Sequence, residues 1–241
     1  MRKLLSLLWL AFFWLFMLLT LGAFLATILL KLISPHRFYR RAVKAFVAFW
    51  GKAVILTTGS RVTITGLELL PREGSICLIG NHQGLFDIPA LIGWLGIPVG
   101  FIAKQELFKI PVVSHWMREI PCVFIDRSNA RKAIETFQTS ADVIRGGHPL
   151  VIFPEGTRSR GDQLGEFHLG SFKLPAMAQA TIVPFAIKNT WRIYERDKTI
   201  RPAHVKIRIL PPILPSDPLY QDKRALAETL HQTIQTNVDS L

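Results

Sequence analysis

The sequence predicts a mixed α/β domain with a largely parallel sheet flanked by helices, preceded by an N-terminal membrane helix and an amphipathic interfacial helix. Three observations lead to this prediction. Residues 4–30 are apolar and uncharged, basic and apolar residues then alternate at helical spacing, and from about residue 59 short apolar runs alternate with helical patterns. Strands that alternate with helices are typical of parallel sheets. We therefore divide the chain into membrane-anchoring helices, residues 1–58, and an α/β domain, residues 59–241.

The first predicted element is a run of 27 residues without a charge, at positions 4–30. A helix that crosses the hydrocarbon core needs about 20 residues. The apolar core of a secretory signal peptide has only about 7–15 residues and ends in a cleavage site of small residues. The run is therefore predicted to be a retained membrane helix, which either spans the bilayer or dips into it and returns.

The charge of the chain is concentrated next to this helix. The formal net charge is +12, and residues 1–67 contain nine Lys or Arg but no Asp or Glu. A basic segment beside an apolar helix attracts anionic lipids, which favours a membrane surface over nucleic acid as the partner. Residues 36–59 mix these bases with apolar positions, as expected for a helix in the headgroup region. The basic flank predicts that the α/β domain lies on the cytoplasmic side of an inner membrane.

Short apolar runs and helical patterns then define the elements of the α/β domain. Strands are predicted at residues 61–65, 76–79, 99–103, 122–125, 150–153, 182–187 and 205–209. Helices are predicted at about residues 86–94, 112–119, 129–145, 171–180 and 218–238. In open α/β sheets, ligands bind outside the carboxyl ends of the strands. Three polar clusters follow predicted strands, namely NHQGLFD at 81–87, DR at 126–127 and PEGTRSR at 154–160.

The first cluster places an imidazole and a carboxylate five residues apart. If the strand ends near Asn81 and a helix begins near residue 86, Gly84 lets the backbone turn and Asp87 falls in the first helical turn. The Asp87 carboxylate then reaches one ring nitrogen of His82, and the other nitrogen can take a proton from an alcohol. An isolated pattern of this kind also fits a helix cap and a loop histidine. The neighbouring clusters favour the catalytic interpretation.

The third cluster, FPEGTRSR at residues 153–160, predicts an anion site. Arg158 presents a planar fork that suits phosphate, and Gly156 permits a ligand to approach the backbone closely. Thr157 supplies a hydroxyl donor, and Glu155 is expected to orient an arginine or to accept a substrate hydroxyl.

Two further basic residues are candidates for the same anion site. Arg127 follows the predicted strand at 122–125, and Lys104 ends the predicted strand at 99–103. A shared site is expected because the carboxyl ends of parallel strands meet at one edge of a sheet. An ordinary exposed lysine fits Lys104 as well.

Several other classes of enzyme are poorly supported. The chain lacks the nucleophile elbow GxSxG, the phosphate loops GxGxxG and Walker A, and the zinc motif HExxH. Its two cysteines, Cys77 and Cys122, lie in apolar runs without metal-binding spacing. The remaining interpretation is a His–Asp base beside an anion site on a domain tethered to a membrane.

These blocks resemble the glycerolipid acyltransferases, in particular the 1-acylglycerol-3-phosphate O-acyltransferase family. The family signatures NHxxxxD, F-I-x-R, FPEGTRS and an apolar strand containing VP are matched at residues 81–87, 124–127, 153–159 and 182–187. Their order and spacing agree over roughly residues 60–190. The chain departs from the family at Gly84, where Ser is common, at Pro121, where Gly is common, and at His168 and Lys173, within a stretch that is often rich in Lys.

The resemblance implies transfer of a fatty acyl group from acyl-CoA or acyl carrier protein to the free hydroxyl of 1-acylglycerol 3-phosphate, giving phosphatidic acid. It implies that His82 is the general base, that Asp87 holds and polarises His82, and that Arg158, Arg127 and residues 155–157 bind the acceptor phosphate. No metal or cofactor is expected, because a thioester is already activated.

Two alternatives remain open from the sequence. The same motifs serve acyltransferases that act on other lyso-lipids, such as a lyso-ornithine lipid. A non-enzymatic membrane adaptor that binds anionic lipid would explain residues 1–58, but it gives no reason for His82, Asp87 and an intact FPEGTRS.

Overall fold

The structure is a computed structural model that describes residues 2–105, 109–125 and 130–241. Two long helices, α1 (Arg2–Ile33) and α2 (His36–Leu56), precede an α/β domain. The strands of the domain are β1 (Arg61–Thr65), β2 (Ile76–Gly80), β3 (Gly100–Lys104), β4 (Val123–Ile125), β5 (Leu150–Ile152), β6 (Thr181–Lys188) and β7 (His204–Ile209). Its helices are α3 (Asp87–Trp94), α4 (Pro111–Glu119), α5 (Ala130–Arg145), α6 (Lys173–Ala178) and α7 (Lys223–Ser240).

The strands in the described ranges form one sheet in the order β1-β7-β6-β2-β5-β3-β4. Neighbouring strands are parallel, apart from the antiparallel pair β6–β7. The predicted fold class, a mixed and largely parallel sheet flanked by helices, is therefore confirmed. Each predicted strand differs from the observed one by no more than one residue at either end.

Two predicted helices begin or end at different residues from those expected. The helix predicted from residue 218 begins at Lys223, because the Asp222 side chain accepts hydrogen bonds from the first N–H groups of α7. Residues 218–221 form a separate 3-10 helix. The helix predicted at 171–180 is a 3-10 turn followed by α6, which ends where Gln179 adopts a left-handed conformation with φ 47°.

The strands β2, β5 and β6 are buried on both faces of the sheet, which explains why they are continuous apolar runs. Along β2, Ile76 and Leu78 pack on the side of α2 and α3, whereas Cys77 and Ile79 pack on the side of α6 and α7. Strands β2 and β5 pair in parallel with Ile79 opposite Ile152. The chain segments that follow these two strands therefore leave the sheet side by side, at the same edge.

Helix α1 lies along the α/β domain from end to end. Near its start, Ser6 Oγ accepts a hydrogen bond of 2.9 Å from the backbone N–H of Ile200. Near its end, Lys31 Nζ lies 3.8 Å from a carboxylate oxygen of Glu119. By length and composition, residues 3–33 form a helix that is able to cross a membrane. Much of its outer face is apolar and exposed, including Leu4, Leu8, Trp14, Leu18, Leu25, Leu32 and Ile33.

The amphipathic pattern of α2 serves the protein core as well as the surface. The sequence predicted an amphipathic helix in the headgroup region, and the structure buries Val43, Val47 and Val54 of this helix in the core on one side of the sheet. Phe38 and Phe49, by contrast, are exposed. Helix α2 is thus an integral packing element of the domain, and only part of its apolar surface is free to contact a membrane.

Candidate active site

An imidazole and a buried carboxylate form a hydrogen-bonded pair just beyond β2. His82 Nδ1 lies 2.6 Å from Asp87 Oδ2, and the Asp87 side chain is 0% exposed. The same oxygen accepts a bond of 2.9 Å from the Gly84 N–H, and the Thr190 hydroxyl donates to Oδ1. Three donors therefore fix the carboxylate, and the carboxylate fixes the ring. This leaves Nε2 as the nitrogen of His82 that faces away from Asp87.

The backbone around His82 is held by its neighbours. The side chain of Asn81 pairs with the backbone of Ile187 in β6, accepting from its N–H and donating to its C=O, each at 2.8 Å. The His82 carbonyl accepts a 2.8 Å bond from the Ser159 N–H. Asp87 is the first residue of α3, so its carboxylate also lies at the positive end of a helix. The turn is therefore held by contacts with β6 and with the loop that follows β5.

Phe153, the residue after β5, orients the imidazole ring. The two rings are stacked with centroids 4.2 Å apart and an interplanar angle of 14°. The His82 side chain is 19% exposed. Since one face of the ring rests on Phe153 and one edge is bound to Asp87, the imidazole has little freedom to rotate.

Glu155 supports the backbone of the site. The sequence predicted that its carboxylate orients an arginine or accepts a substrate hydroxyl, but the carboxylate is buried and both of its oxygens accept backbone N–H groups. One oxygen accepts from His82 at 2.7 Å and the other from Gly165 at 2.8 Å. Burial raises the pKa of the Glu155 carboxyl, while these two bonds and the nearby His82 ring act in the opposite direction. Glu155 thus connects the polar cluster at residues 81–87 with the loop that contains Gly165.

We expect Glu155→Ala to lower the stability of the protein and its activity together. The substitution leaves the N–H groups of His82 and Gly165 without their acceptors, and each buried unsatisfied donor costs about 1–3 kcal/mol. Thermal unfolding in detergent measures the effect. Glu166→Ala is the matched control, because Glu166 is exposed in the same loop. An unchanged melting temperature in Glu155→Ala would contradict this role.

The predicted anion-binding residues converge on the same place. Gly156 has φ 64°, a left-handed conformation that favours glycine. Arg158 is 33% exposed, and its Nη1 donates to a carboxylate oxygen of Glu195 at 3.2 Å. Thr157 lies between them. Of the other two candidates, Arg127 lies outside the described residues, and Lys104 is placed by its backbone alone, at the end of β3.

A large cavity connects these residues. Its volume is about 930 Å³. His82, residues 155–157 and Arg158 line it together with the exposed His168. The remainder of the wall is mainly apolar and comes from α1, α2, α3, α4 and the sheet, with Met17, Phe46, Val47, Trp50, Ile92, Phe101, Val113, Trp116 and Met117 among the lining residues. The predicted base and the predicted anion-binding arginine thus face one largely apolar space.

The cysteines show no sign of activation. Cys77 is fully buried, and burial raises the pKa of its thiol well above its usual range. Burial also raises the pKa of Cys122, to about 12. Within the described ranges, no three His, Cys, Asp or Glu side chains are grouped so that they could hold a metal ion.

Sequence reasoning missed three residues of the site. Thr190 and Glu195 lie more than 100 residues from Asp87 and Leu85, which they bind, in a segment without a recognisable motif. Phe153 was identified as part of a motif, but the sequence carries no signal that its ring stacks on His82. Such contacts depend on the order of the strands in the sheet, which local patterns do not encode.

An imidazole bound to a buried carboxylate, an arginine and an apolar cavity meet at the carboxyl edge of a parallel sheet. An α/β protein with this combination of groups is able to take a proton from an alcohol next to a bound anion. A model of the acyltransferase family matches residues 61–188, more than half of the chain. The chain therefore belongs to the acyltransferase family, and the resemblance drawn from its motifs is confirmed at that level.

Individual proteins agree with the family assignment. The chain is 30% identical over 179 residues to the chloroplastic 1-acyl-sn-glycerol-3-phosphate acyltransferase BAT2 of Brassica napus, covering 71% of this chain and 52% of that protein. It is 32% identical over 199 residues to a 1-acyl-sn-glycerol-3-phosphate acyltransferase of Chlamydomonas reinhardtii, covering 80% of this chain and 60% of that protein. The chain thus spans about half the length of these relatives.

A solved structure has the same fold. The crystal structure of the 1-acyl-sn-glycerophosphate (LPA) acyltransferase PlsC from Thermotoga maritima is similar to this chain with a TM-score of 0.87 and 25% identity. The similarity covers 100% of this chain and 97% of PlsC. It therefore includes α1 and α2 as well as the α/β domain.

Proposed function

We propose that this protein is a membrane-bound 1-acylglycerol-3-phosphate O-acyltransferase. It transfers a fatty acyl group from a thioester to the free hydroxyl of 1-acylglycerol 3-phosphate and so produces phosphatidic acid for phospholipid synthesis. The observation that carries the proposal is that Arg158 and His82, which is bound to Asp87, line one apolar cavity. The names of the relatives and of the similar structure support the same substrate class.

In the proposed reaction, His82 is the general base. Its Nε2 takes the proton of the acceptor hydroxyl while the hydroxyl oxygen attacks the thioester carbonyl. The tetrahedral intermediate then collapses, the C–S bond breaks, and the leaving thiolate takes the proton from the imidazolium. Asp87 stabilises the imidazolium through Nδ1. A base of this kind contributes about 10²–10⁴ in rate. A thioester is already activated, so no metal or cofactor takes part.

The anion site and the cavity position the two substrates. Arg158 binds the phosphate of the acceptor with the N–H donors that do not face Glu195, and the hydroxyl of Thr157 adds to the site. Arg127 comes after β4 in the sequence and Lys104 is the last residue of β3, and these strands end at the same edge. We assign both residues to the phosphate as well. The apolar wall of the cavity takes an acyl chain. Its volume lies in the usual range for ligand pockets, about 300–1,000 Å³.

The two N-terminal helices support a position of the site at the membrane. We propose that residues 1–58 anchor residues 59–241, with the exposed apolar face of α1 in the bilayer and the bases of α2 at lipid headgroups. Because α1 contacts the domain at both of its ends, it lies at the bilayer surface with the domain rather than crossing away from it. The acceptor, itself a lipid, then reaches the cavity without leaving the membrane.

Membrane attachment is tested by extraction. The protein is expected to stay in the membrane fraction after washing with high salt or carbonate, because its apolar contacts with lipid do not depend on charge. Release by either wash would contradict the proposed anchor. Protease digestion of sealed inner-membrane vesicles of both orientations tests the cytoplasmic placement, and cleavage is expected where the cytoplasmic face is outside.

Transfer itself is tested with purified protein and a labelled acyl thioester. The expected result is labelled phosphatidic acid from 1-acylglycerol 3-phosphate, with acyl-CoA and acyl carrier protein compared as donors. A panel of other lyso-lipids, lyso-ornithine lipid included, tests the acceptor class. Faster transfer to an acceptor without a phosphate would contradict the proposed substrate. A membrane adaptor would transfer nothing.

Arg158→Ala is expected to raise the KM for the acceptor more than the KM for the donor. Loss of a charge-assisted bond to phosphate weakens binding by about tenfold or more. Steady-state kinetics with each substrate varied in turn give the two constants. Arg196→Ala is the control, because its side chain is exposed and pairs with Asp197. Equal changes in the two KM values would argue against phosphate binding by Arg158.

A further inference from the structure

A third buried carboxylate, beside those of Asp87 and Glu155, belongs to Glu195, and nothing in the proposed reaction uses it. The side chain of Glu195 is 1% exposed. Its Oε1 accepts a 2.8 Å bond from the Leu85 N–H and a 3.2 Å bond from Arg158 Nη1. It therefore joins the turn that carries His82 to the loop that carries Arg158.

The other oxygen of Glu195 is unusual. Among the described residues, Oε2 is buried and has no hydrogen-bond partner. Leaving a buried carboxylate oxygen unpaired is unfavourable, and groups of this kind are retained where another requirement outweighs stability. The requirement here is the pair of hydrogen bonds that Oε1 accepts from the Leu85 N–H and from Arg158, which connect the two parts of the site.

Gly84 makes room for this carboxylate. A Cβ atom at residue 84 would lie 2.6 Å from Glu195 Oε2 and 2.9 Å from its carboxyl carbon. Any side chain at this position would therefore displace Glu195. The N–H of Gly84 also donates to Asp87. Gly84 thus lies between the buried carboxylates of Asp87 and Glu195. The space that Glu195 occupies explains why this chain has Gly at a position where Ser is common in the family.

We propose that Glu195 is a positioning residue that holds Arg158 in the orientation that binds the acceptor phosphate, and that Gly84 is required for this arrangement. The proposal rests on the proposed function. A guanidinium has five N–H donors, and the bond to Glu195 uses one end of the fork. The other donors are then presented to the cavity. Holding the arginine in place before the substrate arrives reduces the entropy lost on binding.

The kinetic test compares Glu195→Ala with Glu195→Gln. Glu195→Ala is expected to raise the KM for 1-acylglycerol 3-phosphate by about tenfold, with the donor KM nearly unchanged, because only the acceptor depends on Arg158. Glu195→Gln is expected to stay close to the wild type, because its amide oxygen is able to accept both bonds. Asp197→Ala, which removes an ion pair with Arg201 in the same turn, is the matched control and leaves both constants unchanged.

A double-mutant cycle tests the role of Gly84. Gly84→Ala is expected to raise the acceptor KM as Glu195→Ala does, and the double variant is expected to be no worse than Glu195→Ala alone. Residues that act through one contact are not additive in this way. Fully additive effects, or equal changes in acceptor and donor KM for Glu195→Ala, would overturn the proposal.

Binding of glycerol 3-phosphate separates the positioning role from the proposed function. Calorimetry on the full chain in detergent is expected to give weaker binding in Glu195→Ala than in the wild type and near-normal binding in Glu195→Gln. If the wild type transfers no acyl group, the proposed function fails, but this affinity difference still supports the positioning role. Unchanged affinity in a folded Glu195→Ala overturns it.

Discussion

His82→Ala is expected to lower kcat by about 10²–10⁴-fold, the usual contribution of a general base. Without the imidazole, the site lacks the Nε2 that takes the proton of the acceptor hydroxyl in the proposed reaction. The fold is expected to survive, because the ring is partly exposed and the backbone of residue 82 is held by Glu155 and Ser159. Initial rates of phosphatidic acid formation at saturating substrates measure the effect.

The matched control for this variant is His204→Ala. His204 lies on β7 and bonds the Thr63 hydroxyl at 2.8 Å, so its removal also deletes one imidazole and one hydrogen bond. Its rate is expected to stay near that of the wild type. Near-normal transfer by His82→Ala, with membrane binding and melting temperature unchanged, would remove the proposed base.

Asp87→Asn is expected to lower kcat by a similar factor, about 10²–10⁴-fold, without a matching rise in either KM. The amide has the shape of the carboxylate, and the Thr190 hydroxyl is able to turn and accept from its NH₂ group. What the variant lacks is the negative charge that stabilises the imidazolium while His82 holds the proton. The kinetic constants and the melting temperature are measured on the same preparation.

Asp142→Asn serves as the control for the chemical change itself. Asp142 is exposed on α5 and pairs with Arg145 one turn away, so the same substitution there is expected to leave kcat unchanged. If Asp87→Asn retained more than about a tenth of the wild-type kcat, the carboxylate would be a structural cap of α3 rather than the partner of a catalytic histidine.

The central strands could be predicted closely because they are buried on both faces of the sheet. The runs at residues 76–80 and 182–187 contain no charged or strongly polar side chain, and polar residues bound them. The His82–Asp87 bond was also predictable, because it spans a single turn. The start of α7 had a signal in Asp222, which favours a helix cap over a helix interior.

Other features of the site depend on packing between distant segments. From the sequence, a glutamate at position 155 is equally suited to contact a substrate or the backbone. The position of Gly165 across the loop, where its N–H donates to Glu155, decides between these two roles. The same holds for α2, where burial of Val43 and Val47 depends on which face of the sheet the helix covers. Glu195 and Thr190 reach the site because β6 lies beside β2.

Because β2 and β5 pair in parallel, the activity of the site depends on the register between these two strands. Each residue along a strand advances the chain by about 3.3 Å, and the imidazole and the arginine follow these two strands after fixed intervals. A shift of one residue in the register between the two strands would move the proposed base away from the proposed phosphate site by more than the length of a hydrogen bond. Most of the apolar packing would still be possible. A deletion within either strand is therefore expected to abolish activity in a protein that is still folded.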